Sequence, residues 1–129
     1  MVGIVIVSHS QKLAEGVVEL AKLMTAPDAP IVAAGGMEDG GPGTSFEKIY
    51  AAVEEAYEDD GVAILMDMGS AVMTAEMVVE AMEDRKLKLV DGPVVEGAVV
   101  AAVEARMGSS LETIVQKVAE AREMKKLEN

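Results

Sequence analysis

Gly3-Ile4-Val5-Ile6-Val7-Ser8-His9-Ser10 is an apolar run that ends beside the only histidine of the chain. The run is short, β-branched and does not alternate with polar residues, the pattern of a strand covered on both faces of a parallel sheet. Such sheets present their chemistry at the carboxyl ends of strands, in the crevice where strand order reverses, and His9 falls there. A neutral imidazole takes up a proton, binds a metal or accepts a phosphoryl group. With no cysteine and no second histidine, a metal centre is not expected.

A second buried strand reads from Val62 to Met66, followed at once by Asp67-Met68-Gly69-Ser70 and a helical run from Ala71 to Met82. If the two strands are neighbours, Asp67 meets His9 at the same sheet edge. There it either accepts a hydrogen bond from one imidazole nitrogen, fixing the tautomer and freeing the other nitrogen to attack, or caps the helix that follows.

Between these strands, Leu13, Val17, Leu20, Ala21 and Met24 recur at helical spacing over Ser10 to Met24. Ser8 or Ser10 caps that helix, which sets His9 at a helix amino terminus, where free N–H groups and the dipole favour an anion. Ile31 to Ala34 reads as a further strand. The stretch from Gly35 to Ser45 then holds five glycines in nine residues, ahead of a helix from Phe46 to Glu58. Glycine lets backbone N–H groups converge on an anion, so the loop is either a phosphate cradle or a turn. It lacks the lysine of a nucleotide-binding P-loop.

Leu87 to Val90 is a weaker, alternating strand that suits a sheet edge. Over Val94 to Met107 strand and helix compete, with the alanine-rich later part favouring helix. Ser109 or Ser110 caps a last helix to about Leu127, Ser109 and Glu112 standing at capping-box spacing. Met68, Met73, Met77 and Met82 form a stripe of the kind found in a core or a subunit interface.

The 129 residues, half of them apolar, suffice for one domain over 1–129 with a single core and no disulfide or metal. No basic region precedes the first apolar run, and no stretch approaches the roughly 18 apolar residues of a membrane span, so the expectation is a soluble, cytoplasmic protein. Eleven basic against 23 acidic residues give a net charge of −12. That charge repels nucleic acids and anionic membranes, and either attracts a basic protein partner or serves solubility alone. Three aromatics leave little scope for stacking on a ligand.

With these residues in view, the chain resembles the EIIA domains of the mannose-type phosphotransferase family over nearly its whole length. The likeness rests on Gly3 to Ser10, on Ala34-Gly35-Gly36 with Asp39-Gly40 and Gly43-Thr44-Ser45, on Asp67-Met68-Gly69-Ser70-Ala71, and on Val95-Glu96-Gly97-Ala98. The Gly43-Thr44-Ser45 and Gly69-Ser70-Ala71 pieces look like the branch that serves phosphoenolpyruvate-dependent dihydroxyacetone kinase. Sugar-transport members usually carry a second glycine and a Thr-Pro where this chain has Ser70, Ala71 and Val72.

The resemblance implies an α/β fold of three layers, α/β/α. Its central four-stranded sheet would be mainly parallel, with an antiparallel contribution at one edge. It also implies a homodimer in which His9 carries a phosphoryl group and no cofactor is held. The donor would be phospho-HPr and the acceptor ADP on the subunit DhaL, with DhaK indirectly downstream. A sugar-permease component and a regulatory module phosphorylated on His9 are the alternatives. Ser10, Gly43, Thr44, Ser45, Gly69 and Ser70 are expected to offer neutral donors to the phosphate, since Lys12 is the only base near these loops in sequence.

Overall fold

The computed structural model describes residues 1–128. Four strands, β1 (Gly3–Ser8), β2 (Ile31–Gly35), β3 (Val62–Met66) and β4 (Leu87–Val90), form one sheet in the order β2-β1-β3-β4. All three pairings are parallel. The helices are α1 (Gln11–Met24), α2 (Phe46–Ala56), α3 (Ser70–Ala81), α4 (Val94–Arg106) and α5 (Leu111–Glu120), followed by a 3-10 turn over Ala121–Glu123. The antiparallel edge implied by the resemblance is absent from this sheet. A helix, α3, crosses over between β3 and β4, and a strand that returns after such a crossover runs parallel to its predecessor.

Every residue of β1 is buried, as its unbroken apolar run requires. The pleat divides that run between two cores. Ile4 and Ile6 pack with Val17 of α1, Ala101 of α4 and Ile114 of α5. Val5 and Val7 face the other way, with Ile49 and Val53 of α2 and Ala75 and Val78 of α3. Each of these four β1 side chains is fully excluded from water, which stabilises the fold by on the order of 1.5–3 kcal/mol apiece.

The segment from Val94 is a helix throughout. Ala98, Ala101, Ala102 and Ala105 recur at three- and four-residue spacing and are fully buried, a stripe that only helical periodicity can produce. The last helix is capped by Ser110, whose Oγ accepts from the Thr113 N–H at 3.1 Å. The Ser109–Glu112 capping box does not form, because the Ser109 hydroxyl donates instead to Glu104 Oε1 at 2.7 Å.

Because β1 leads leftward to β2 and the chain then returns to β3 on the other side, strand order reverses between β1 and β3. Residues that follow these two strands share the resulting crevice. Gly35 keeps it narrow: a Cβ there would lie 2.5 Å from the Ser10 carbonyl oxygen and 2.7 Å from Ala14 Cβ. Only glycine lets α1 start this close to β2. Gly35→Ala is therefore expected to lower unfolding free energy by about 1–3 kcal/mol through overpacking, measured by urea denaturation.

Candidate active site

His9 directly follows β1 and Asp67 directly follows β3, and the backbone itself ties them together. The Asp67 N–H donates to the Val7 carbonyl at 3.1 Å, extending the ladder one step beyond the β3 strand. The Asp67 carboxylate turns back across the strand ends and accepts four hydrogen bonds. Oδ1 takes the Met68 N–H at 2.6 Å and pairs with His9 Nδ1 at 3.0 Å. Oδ2 takes the Ser8 hydroxyl at 2.9 Å and the His9 N–H at 3.0 Å.

Partial burial pushes the Asp67 carboxyl up. The N–H groups of His9 and Met68, the Ser8 hydroxyl and the imidazole together outweigh that effect and hold it below its ordinary value. An ionised carboxylate only accepts, so His9 Nδ1 carries the ring proton and Nε2 presents its lone pair. The His9 side chain is 37% exposed against 15% for Asp67, which leaves the outer edge of the ring toward solvent and the carboxylate behind it. Asp67 thus pairs with the imidazole and does not cap α3. The N-cap position of that helix is Gly69, whose φ of +56° suits glycine, and no side chain caps it.

His9 Nε2 meets Ser70 Oγ at 2.8 Å. Thr44 Oγ1 lies 3.3 Å from Ser70 Oγ and 3.0 Å from Thr74 Oγ1. Two helices begin at this point, α1 two residues after His9 and α3 at Ser70 itself, so both helix dipoles favour negative charge here. Ser10 caps α1, its Oγ accepting from the Leu13 N–H at 3.1 Å. An open hollow of about 460 Å³ beside His9 is lined by Ser10, Gln11, Lys12, Glu15 and the glycine loop at Gly40, Gly41 and Pro42.

The glycine loop does not converge its N–H groups on this space. Gly36 donates to the Ser8 carbonyl, Gly40 to the Met37 carbonyl and Gly43 to the His9 carbonyl at 2.9 Å. Gly41 donates to Asp39 Oδ1. Gly43 therefore fixes the His9 backbone from behind instead of donating to an anion, and the loop reaches the site through the Thr44 side chain. Ser45 is also removed from it. The residue is buried, its Oγ accepts the Lys48 N–H at 3.2 Å and caps α2.

Three residues at or around the site are not among the expected phosphate donors. Ser8 is a fully buried polar residue at the end of an apolar strand, and that anomaly is its signal. Thr74 stands four residues after Ser70, one helical turn along the same face. Lys48 Nζ donates to the Gly35 carbonyl at 2.7 Å, so Lys12 is not the sole base near the strand ends. A cation in the first turn of a helix opposes the dipole, which marks Lys48 as held there by something else. Among the described residues, no three His, Cys, Asp or Glu side chains cluster to hold a metal ion.

Residues 3–115 match the EIIA-man model, described as the PTS system fructose IIA component. The chain belongs to this family. It is 38% identical over 132 residues to the phosphoryl donor subunit DhaM of phosphoenolpyruvate-dependent dihydroxyacetone kinase from Escherichia coli, an alignment covering 98% of this chain and 28% of that protein. A Listeria innocua protein named as the same subunit of dihydroxyacetone kinase 2 is 36% identical over 121 residues, 92% of this chain and 97% of its own length. The EIIA-man chain thus spans little more than a quarter of the first relative and nearly all of the second. Its fold is shared by the mannose/sorbose-specific IIA subunit of Enterococcus faecalis, with a TM-score of 0.67 at 18% identity over 99% of this chain and 96% of that one.

The lowered carboxyl of Asp67 gives a signed pH dependence. A group whose folded pKa is depressed contributes stability above its unfolded pKa and loses it as pH falls through the folded value. The gap in unfolding free energy between wild type and Asp67→Ala should be widest at neutral pH and narrow below about pH 4, measured by denaturation across that range.

Proposed function

We propose that this EIIA-man protein is a phosphohistidine carrier working between phospho-HPr and a dihydroxyacetone kinase. The observation that carries the reading is the pair His9 Nδ1–Asp67 Oδ1 at 3.0 Å, which leaves Nε2 as the nucleophile. The names of the relatives support the dihydroxyacetone branch. The Nε2 lone pair attacks phosphorus, the P–N bond to the donor histidine breaks, and its electron pair returns to the donor's ring. Asp67 balances the positive charge that the His9 ring then bears. Handing the group on reverses these steps, with a terminal phosphate oxygen of ADP on DhaL as the attacking atom, and the ATP so formed serves DhaK.

Ser70 and Thr44 supply hydroxyl donors to the phosphoryl oxygens, with the first-turn backbone of α1 after Ser10 and of α3 after Gly69 around them. Neutral donors suit a carrier, since a bidentate arginine would hold the group more tightly than transfer allows. The exposed, open position of His9 suits docking of one protein on another. Met73 and Met77 of α3, both more than half exposed, are apolar surface available to a homodimer. No helix among the described residues is long and apolar enough to cross a membrane, and the proposed workplace is the cytoplasm, where ADP and HPr are found.

Incubation with phosphoenolpyruvate, Enzyme I and HPr is expected to add one phosphate, mapped to His9 by mass spectrometry, acid-labile, alkali-stable and lost in His9→Ala. A label on Ser8, Ser10 or Ser70 would overturn the assignment. Forward transfer should proceed to DhaL carrying ADP and not to a sugar-permease IIB protein. Asp67→Asn should slow that transfer by on the order of 10² to 10⁴, as loss of a tautomer-setting partner does in other histidine chemistry.

A further inference from the structure

We propose that Thr74 is a positioning residue that gives a direction to the chain of hydroxyls reaching His9, an inference that rests on the carrier reading of this site. Four atoms lie in sequence: Thr74 Oγ1, Thr44 Oγ1 at 3.0 Å, Ser70 Oγ at 3.3 Å from Thr44, and His9 Nε2 at 2.8 Å from Ser70. Each hydroxyl has one proton to give and lone pairs to receive with, so an isolated chain of this kind could run either way.

Asp67 removes the choice at one end. Its carboxylate accepts from Nδ1, so neutral Nε2 has only a lone pair, and Ser70 must donate to it. The Ser70 oxygen then receives from Thr44 at 3.3 Å, nearer than the Ser70 carbonyl at 3.5 Å. Donation from Thr44 to Thr74 at 3.0 Å instead would leave the Thr74 proton with no acceptor among the described residues, so the inward run forms the most hydrogen bonds. With its proton so committed, Thr44 receives from Thr74. All three protons point toward the nucleophile.

The spacing that builds this is a property of α3. Ser70 and Thr74 are one turn apart on one helix face, and the bridge between Gly36 and Thr44 carries the loop threonine alongside them. A threonine inside a helix commonly returns its hydroxyl to the carbonyl four residues back, and here the Thr74 oxygen instead lies within 3.0 Å of a side chain on another segment.

The direction matters when the phosphoryl group arrives. Bond formation consumes the Nε2 lone pair, and the Ser70 proton turns to a phosphoryl oxygen while Thr44 and Thr74 keep their orientation. The incoming anion meets donors already facing it, so little reorganisation accompanies transfer. Without Thr74, Thr44 is free to turn, Ser70 can donate to Thr44, and a lone pair of Ser70 then faces the nucleophile.

The test begins with the unphosphorylated protein, labelled with ¹⁵N in the His9 ring, and its readout is independent of any transfer. Thr74→Val, which keeps shape and removes the hydroxyl, is expected to move the Nε2 resonance away from its hydrogen-bonded position while Nδ1 keeps its proton. In transfer from phospho-HPr, kcat should fall between about 2-fold and 12-fold, the range for one lost hydrogen bond, with KM unchanged. Thr74→Ser, which keeps only the hydroxyl, should restore both resonance and kcat. A Thr74→Val protein with the wild-type Nε2 resonance, or a Thr74→Ser protein that behaves like the valine variant, would overturn the proposal. Were wild-type His9 to accept no phosphoryl group, the carrier reading would fall, and the resonance comparison would still decide whether Thr74 directs the hydroxyls.

Discussion

The carboxylate of Asp67 joins the two central strands to the chemistry between them. Four donors from three residues converge on its two oxygens, so a charge that would be unfavourable to bury is fully satisfied. Two of those donors belong to backbone at the strand ends and do not depend on side-chain rotamers. The imidazole is therefore held by a carboxylate that is itself fixed by the sheet, and the precision of the site derives from β1 and β3 being adjacent.

That adjacency is a consequence of hydrophobic patterning. The β1 and β3 strands carry the most continuous apolar runs of the chain, and only the two central positions of a four-stranded sheet, covered on both faces, bury such runs completely. Once both are central and parallel, their carboxyl ends lie side by side at the reversal of strand order. The β2 and β4 strands take the edges, where exposure is tolerated, as at Val32 and Lys88.

Much of this was legible because it depends on residues that lie next to their elements in sequence. His9 and Asp67 each follow a recognisable strand, and a helix follows each of them. What escaped was decided by where hydrogen bonds terminate across the fold. Five glycines leave an anion cradle and a turn equally open to composition, and the choice falls to the turn because the N–H groups of Gly36, Gly40, Gly41 and Gly43 all find acceptors within the chain. Ser45 and Thr44 are neighbours with equal capacity to donate, and only backbone direction sends Ser45 to cap α2 and Thr44 to the site. The parallel β4 follows from topology alone, because the apolar helical run from Ala71 to Met82 crosses over between β3 and β4.

The choice of hydroxyls around Nε2 fits the energetic demand on a carrier. In the proposed role, transfer from one histidine to another exchanges one P–N bond for a similar one, so a site that stabilised the phosphoryl group strongly would become a sink. A hydroxyl can donate to the phosphoryl oxygen when the group is present and to the imidazole lone pair when it is absent. It thus stabilises both states and biases transfer little. A guanidinium has no such second partner in the empty site, and its charge would persist there. Lys48 is the cation whose ammonium is bonded at the strand ends, and it rests on the Gly35 carbonyl, which leaves the hydroxyls as the groups in contact with Nε2. In the proposed role the surrounding charge of −12 acts at longer range, favouring approach by basic protein surfaces while the local chemistry stays nearly balanced.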